Sequence, residues 1–80
     1  MATDTSPVAI AARRFQLVRD VDVTGVSGTG RVTEGLEFSD GQVAMRWLTS
    51  VSSIAFYHSI GDVLHIHGHD GNTRLEWIDN

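Results

Sequence analysis

From Phe15 to the end of the chain, apolar and polar residues alternate with a period of two. Turns rich in glycine, aspartate and serine cut this alternation into short pieces. A period of two places successive side chains on opposite faces of a strand, so the pattern predicts a mainly β chain. Phe15 to Arg19 reads as a first strand, and Asp20 to Gly30 as a long loop. Arg31 to Phe38 reads as a second strand, with Val32, Leu36 and Phe38 on one face and Arg31, Thr33 and Glu37 on the other. Ser39-Asp40-Gly41 is a hairpin turn, because Asp-Gly supplies the positive φ such turns need. Gln42 to Leu48 returns with Val43, Met45 and Trp47 inward and Arg46 outward. Ser53 to Tyr57 is a fourth strand, and Thr73 to Ile78 a fifth, in which Thr73, Leu75 and Trp77 share a face.

The period changes once inside this run. Ser59-Ile60-Gly61-Asp62 has the form of a capping box with aspartate in the glutamate position. Ile60, Val63, Leu64 and His67 then fall on one helical face, which predicts a short helix from Ser59 to about Ile66, ended by Gly68. The rival reading is a strand from Val63 to His67. Five short strands with a helical turn before the last is the layout of a small antiparallel SH3-like barrel. Closure suits a chain of 80 residues, which has no material to cover open sheet edges. Residues 15–80 form this predicted domain, and 1–14 a separate arm. In the arm, Ser6-Pro7 and the spacing of Val8, Ala11, Ala12 and Phe15 suggest two helical turns that need something to dock on.

Length and composition exclude several classes. One domain is the limit, and the large α/β enzyme folds do not fit. The absence of cysteine removes disulfides and thiolate zinc sites. All six cations are arginine, scattered and outnumbered by ten carboxylates, so neither nucleic acid nor an anionic membrane is an expected partner. The missing lysine removes Schiff-base chemistry and a P-loop phosphate contact. The N-terminus lacks the features of a signal peptide, so the expected location is the cytoplasm of a bacterial host, with the virion as the alternative.

Four patterns carry possible chemistry. Asp20-x-Asp22-x-Thr24 follows a strand, as in phosphatases of the haloacid dehalogenase type, but those need a further cation, a second acidic motif and a far larger fold. The same stretch opens like a calcium loop, yet Arg31 stands where the closing bidentate glutamate belongs. Ser27-Gly28-Thr29-Gly30 could present backbone amides to an anion, although its glycines lead into a strand and not a helix. His65-x-His67-x-His69 would share one face of a strand, or bring His65 and His69 together on a helix; weak binding of a transition metal competes with a structural histidine bonded to the turn backbone. A pH-sensitive surface is a third reading of these histidines. No metal or cofactor is assigned. Trp47 and Trp77 have inward parity and are expected in the core, while Tyr57 at a strand end is either half-buried or an exposed anchor beside His58.

The run Phe15-x-Leu17-x-Arg19-Asp20-x-Asp22-x-Thr24-Gly25-x-Ser27-Gly28-Thr29-Gly30 carries a resemblance, together with Phe38-x-Asp40-Gly41, Arg46-Trp47, His67-Gly68-His69-x-Gly71-x-Thr73 and Trp77-x-Asp79. In these residues the chain resembles a family of small proteins of actinobacteria and their phages, over about Phe15 to Asp79. The lysine-free composition suits a GC-rich genome. The resemblance implies association with a phage or prophage and brings no activity with it.

The expectation from all of this is a non-enzymatic interaction module that binds a protein partner, from the host or a second copy of itself. Its expected surface is Asp20, Asp22 and Thr24 of the long loop with Tyr57 and His58. One alternative is a binder of small nucleotide-like ligands through Ser27, Gly28, Thr29 and Gly30 with His67 and His69. Another is a virion decoration protein whose arm lies along a neighbouring subunit.

Overall fold

The computed structural model describes residues 11–21 and 29–79. The predicted N-terminal helical arm, apart from its last four residues, and the centre of the long loop therefore lie outside the described residues. Five strands, β1 (Arg13–Arg19), β2 (Gly30–Glu37), β3 (Val43–Trp47), β4 (Ile54–Tyr57) and β5 (Thr73–Trp77), make one antiparallel sheet in the order β4-β3-β2-β1-β5. An α-helix, α1 (Ile60–His67), and a single 3₁₀ turn (His69–Gly71) connect β4 to β5. The chain is thus a small mainly β domain with one short helix before the last strand, as its periodicity predicts. Among the described residues no ladder joins β4 to β5; α1 spans from one edge strand to the other and packs on both. No described helix is long and apolar enough to cross a membrane.

One face of the sheet holds the core. Phe15, Leu17, Val32, Val43, Met45 and Val63 are buried, with Trp47, Tyr57, Ile60 and Leu75 packed against them. The alternation puts Phe15 and Leu17 of β1, Val43 and Met45 of β3 and Leu75 of β5 on this inner side, and Val63 caps it from α1. In β2 the parity breaks. The register against β1 slips between Leu17 and Val18, which leaves Val32 as an extra residue, so Val32 and Thr33 are both buried. Thr33 is a buried polar residue that Oγ1 satisfies by accepting from Leu17 N at 3.2 Å. The single face predicted for Val32, Leu36 and Phe38 does not exist: past the bulge Leu36 lies on the outer side, and Phe38, 41% exposed, follows the strand end.

Gly35 explains how β2 fits. It pairs with Phe15, and the tip of the Phe15 ring takes the space a Cβ would occupy. That ring is fully buried and meets the edge of Trp77 at 5.7 Å between centroids. Trp77, expected in the core, is only its outer wall: it is 39% exposed, and the Arg13 guanidinium stacks 3.8 Å above it while bonding Glu37 at 2.7 Å.

The turns follow the local chemistry. Phe38 N donates to Gln42 O, and Asp40 Oδ1 accepts from Gln42 N, closing the β2–β3 hairpin. Ser59 caps α1 by accepting from Asp62 N at 3.1 Å. Gly68 ends the helix, but with φ −72, not in the left-handed conformation expected of a C-terminal glycine. Its requirement is space: a Cβ there would meet the Leu64 carbonyl oxygen at 2.5 Å. The rival strand from Val63 to His67 is overturned, since this segment is helical throughout.

Candidate functional site

The predicted site residues divide into those described and those not. Asp22, Thr24, Ser27 and Gly28 lie outside the described residues. Thr29 is an exposed bend, and Gly30 opens β2 opposite Arg19. Asp20 follows β1; its N–H donates to Asn72 O at 2.8 Å and its carboxylate accepts from Arg74 Nε at 3.0 Å, so it pins the start of β5. Tyr57 pairs with Val43, in the row that continues through Glu37 to Arg13. Asp20 sits at the opposite end of β1, one residue past Arg19. The pairing register therefore sets Asp20 and Tyr57 at opposite ends of their rows. His58 is exposed just beyond β4.

Tyr57 belongs instead to an interior cluster. Its hydroxyl and His67 Nε2 hydrogen-bond at 2.8 Å, and the two rings meet edge-on at 5.7 Å. The Trp47 ring meets the same imidazole edge-on at 5.0 Å. All three side chains are half-buried. Burial raises the Tyr57 hydroxyl above its ordinary value. Burial also lowers the His67 imidazole, and nearby His69 and Arg19 push it further the same way. His67 reaches this position because α1 carries it inward on the face of Ile60 and Val63.

The histidine run resolves accordingly. The three do not share a strand face, because α1 runs through His67. Nor do His65 and His69 stack on a helix, because α1 ends at His67 and the chain then turns left-handed at His69 (φ 49), Asp70 (φ 55) and Gly71 (φ 90). His65 is exposed on the helix, and His67 bonds a side chain where a bond to the turn backbone was expected. Among the described residues no three His, Asp or Glu side chains converge as metal ligands.

Arg19 completes the interior end of β1. It pairs across β5 with Thr73, its Nε donates to Thr73 Oγ1 at 3.2 Å, and it is 5% exposed. Sequence reading placed Arg19 in a strand and passed over it; the signal available was its odd-position parity with Phe15 and Leu17.

The outer face and the β4 edge form a second feature. Phe56, Ala44, Leu36 and Arg14 are cross-strand neighbours in one row, and Ile54, Arg46, Glu34, Gln16 and Glu76 in the next. The second row is a ladder of polar contacts: Arg46 to Glu34 at 3.1 Å and Gln16 to Glu76 at 2.9 Å, with Arg31 also on Glu34 and Arg74 on Glu76. The first row is apolar toward its β4 end. A groove of about 470 Å³ lies on this face, floored by Leu36, Ala44, Ile54 and Ile78 with Arg14 and Arg46 among its lining. Ile54 is 60% and Phe56 77% exposed, and Val51 in the preceding loop is also exposed. Neither Ile54 nor Phe56 was expected to matter; the available signal was that no Asp, Glu, Lys or Arg occurs from Trp47 to Gly61.

No curated protein and no solved structure matches this chain. One family does: the Acb5 phage protein, matched over residues 12–79. The match starts one residue before β1 and ends at Asp79, whose carboxylate bonds Arg14 at 2.8 Å and holds the chain end to that strand, so it spans the whole described sheet and α1. By that match the chain belongs to the Acb5 phage protein family.

Proposed function

We propose that this phage protein works by association and not by catalysis, and that its associating surface is the β4 edge with the adjoining outer face, engaged by a second copy of the chain. The observation that carries this reading is the contrast between the two edge strands. β5 is guarded: Arg74 and Glu76 lie along it, and Arg13 covers Trp77. β4 presents Ile54 and Phe56 to solvent in a stretch without a charged side chain. Soluble proteins blunt free edges with charges, proline or bulges, and a bare apolar edge is a template for another strand. An uncharged strand can pair antiparallel with its own copy across a two-fold axis without opposing like charges, whereas the chain as a whole carries −4 and would repel a copy elsewhere.

The reading places the protein in the host cell or on the virion and needs no cofactor. Sedimentation equilibrium of the full chain tests it. The expected result is a dimer that Ile54→Lys and Phe56→Asp each convert to a folded monomer, since both side chains are exposed and their loss leaves the core intact. A wild-type chain that stays monomeric at every concentration, or variants that dimerise as the wild type does, would sink the proposal.

A further inference from the structure

The outer face of the sheet carries an apolar groove, and the N-terminal arm enters the sheet beside it. Leu36, Ala44 and Phe56 follow Arg14 across β2, β3 and β4. Ile78 extends this row past Arg14, since its N–H donates to Arg14 O at 2.9 Å. The groove of about 470 Å³ lies on Leu36, Ala44, Ile54 and Ile78. Ile54 is 60% and Ile78 48% exposed. Among the described residues the only α-helix, α1, packs on the core side, so no described helix covers this face. A contiguous apolar surface on a small water-facing domain marks a place of contact.

Position, chemistry and reach point to the arm as the occupant. Ala11 and Ala12 are exposed and lead into β1, whose second residue, Arg14, lines the groove. Residues 1–10 precede them. In that segment Val8, Ala9 and Ile10 are apolar, and Asp4 is the only charged side chain. The charged lining of the groove is Arg14, Arg31 and Arg46 with a single carboxylate, Glu34, which Arg31 and Arg46 share at 3.1 Å each. An apolar segment with one negative charge therefore complements an apolar floor with a positive rim. Neighbouring strands lie about 4.8 Å apart, so β4 is roughly 14 Å from β1 across the face. Ten residues span about 33 Å when extended and about 15 Å as a helix, so the arm crosses the groove in either conformation. Its attachment at β1 sets its concentration at the groove on the order of millimolar, and a few apolar contacts then suffice to seat it.

We propose that residues 1–10 dock on the outer-face groove of their own molecule, with Val8 and Ile10 on Leu36, Ala44 and Ile78 and Asp4 at the Arg31–Arg46 pair. This goes beyond the β4 pairing and does not depend on it. A second copy adds in the plane of the sheet at β4, whereas the arm crosses the face from the β1 side. Phe56 is not part of the groove lining, so a seated arm leaves the β4 edge open.

The chain has no cysteine, so Ala9→Cys gives the full-length protein one attachment point for a nitroxide spin label. The amide NMR peaks of Leu36, Ala44 and Ile78 should then lose far more intensity than those of Val63 and Leu64 on α1. Diluting the labelled chain with an excess of chain carrying neither spin label nor isotope should leave that loss in place, because arm and groove belong to one molecule. Phe56→Asp, which removes the β4 pairing, should leave it too, so failure of the dimer and failure of the docked arm are told apart. Without any label, Val8→Asp combined with Ile10→Asp should shift the Leu36, Ala44 and Ile78 peaks and leave those of Trp47, Tyr57 and His67 in place, since both substitutions lie outside the sheet. The proposal is overturned if the spin label and the double variant both leave the outer-face peaks unchanged. It is equally overturned if the loss appears only on isotope-labelled copies mixed with separate spin-labelled ones, which would put the arm on a neighbouring molecule.

Discussion

Two residues of this small core illustrate how tightly single side chains are coupled in it. Gly35 leaves the space that the Phe15 ring fills, so Gly35→Ala must push an aromatic ring that is fully buried and already held by Trp77. The expected loss is about 1–3 kcal/mol, the scale of overpacking, measured by urea denaturation. Phe15→Leu in the same background removes the clash, so the double variant should lose less than the sum of the two single losses. His67 gives a pH dependence. Its folded value is lowered from 6.5 by burial first, then by His69 and Arg19. The unfolded chain therefore takes up a proton that the folded chain resists. Its contribution to stability is whole above about 6.5 and is lost as pH falls from there toward the lowered folded value. Melting temperatures recorded from neutral to mildly acidic pH should fall for the wild type and fall less for His67→Gln, whose amide can still bond Tyr57.

At the scale of elements, local chemistry and long-range pairing divide the work. The eight-residue helix α1 is too short to be stable alone, and its N-terminus depends on Ser59. Ser59→Ala should cost about 1 kcal/mol in chemical denaturation, with Ser59→Asp retaining most of the stability. The helix, its cap, the Asp40-Gly41 hairpin and the inward parity of β3 were all legible in the chain, because each rests on residues within a few positions of one another. β2 was not. Its Leu36 and Phe38 have the spacing of a buried face, and it takes the slip against β1 at Leu17 and Val18 to turn them outward. The placement of the expected surface residues depends on the same long-range register. The expected surface joined Asp20 of the long loop to Tyr57 at a strand end, and the register sets these two at opposite ends of the paired rows.

The whole molecule is a sheet with two unlike edges and two unlike faces. One face is closed by α1 and carries the buried arginine; the other is ruled by a polar ladder beside an apolar row that ends on Phe56. The chain end is drawn onto this body by Asp79, which accepts from the Arg14 N–H and guanidinium and is lowered to about 2 by those bonds. The folded value lies below the ordinary one, so the clamp is whole above about 3.8 and is released as pH falls toward about 2. Asp79→Asn should free the last residues at neutral pH, seen as faster amide exchange at Ile78, whose N–H donates to Arg14 O.

Membership of a β class, the number of strands, the hairpin and the capped helix follow from patterns that repeat every two or four residues, since period and turn chemistry act over that range. Which strands become edges, which arginine is buried, and that Trp47, Tyr57 and His67 meet depend on pairings between residues far apart in the chain. No local period encodes such a pairing. It is set when the strands register against one another, and here a single extra residue, Val32, was enough to change what faces water.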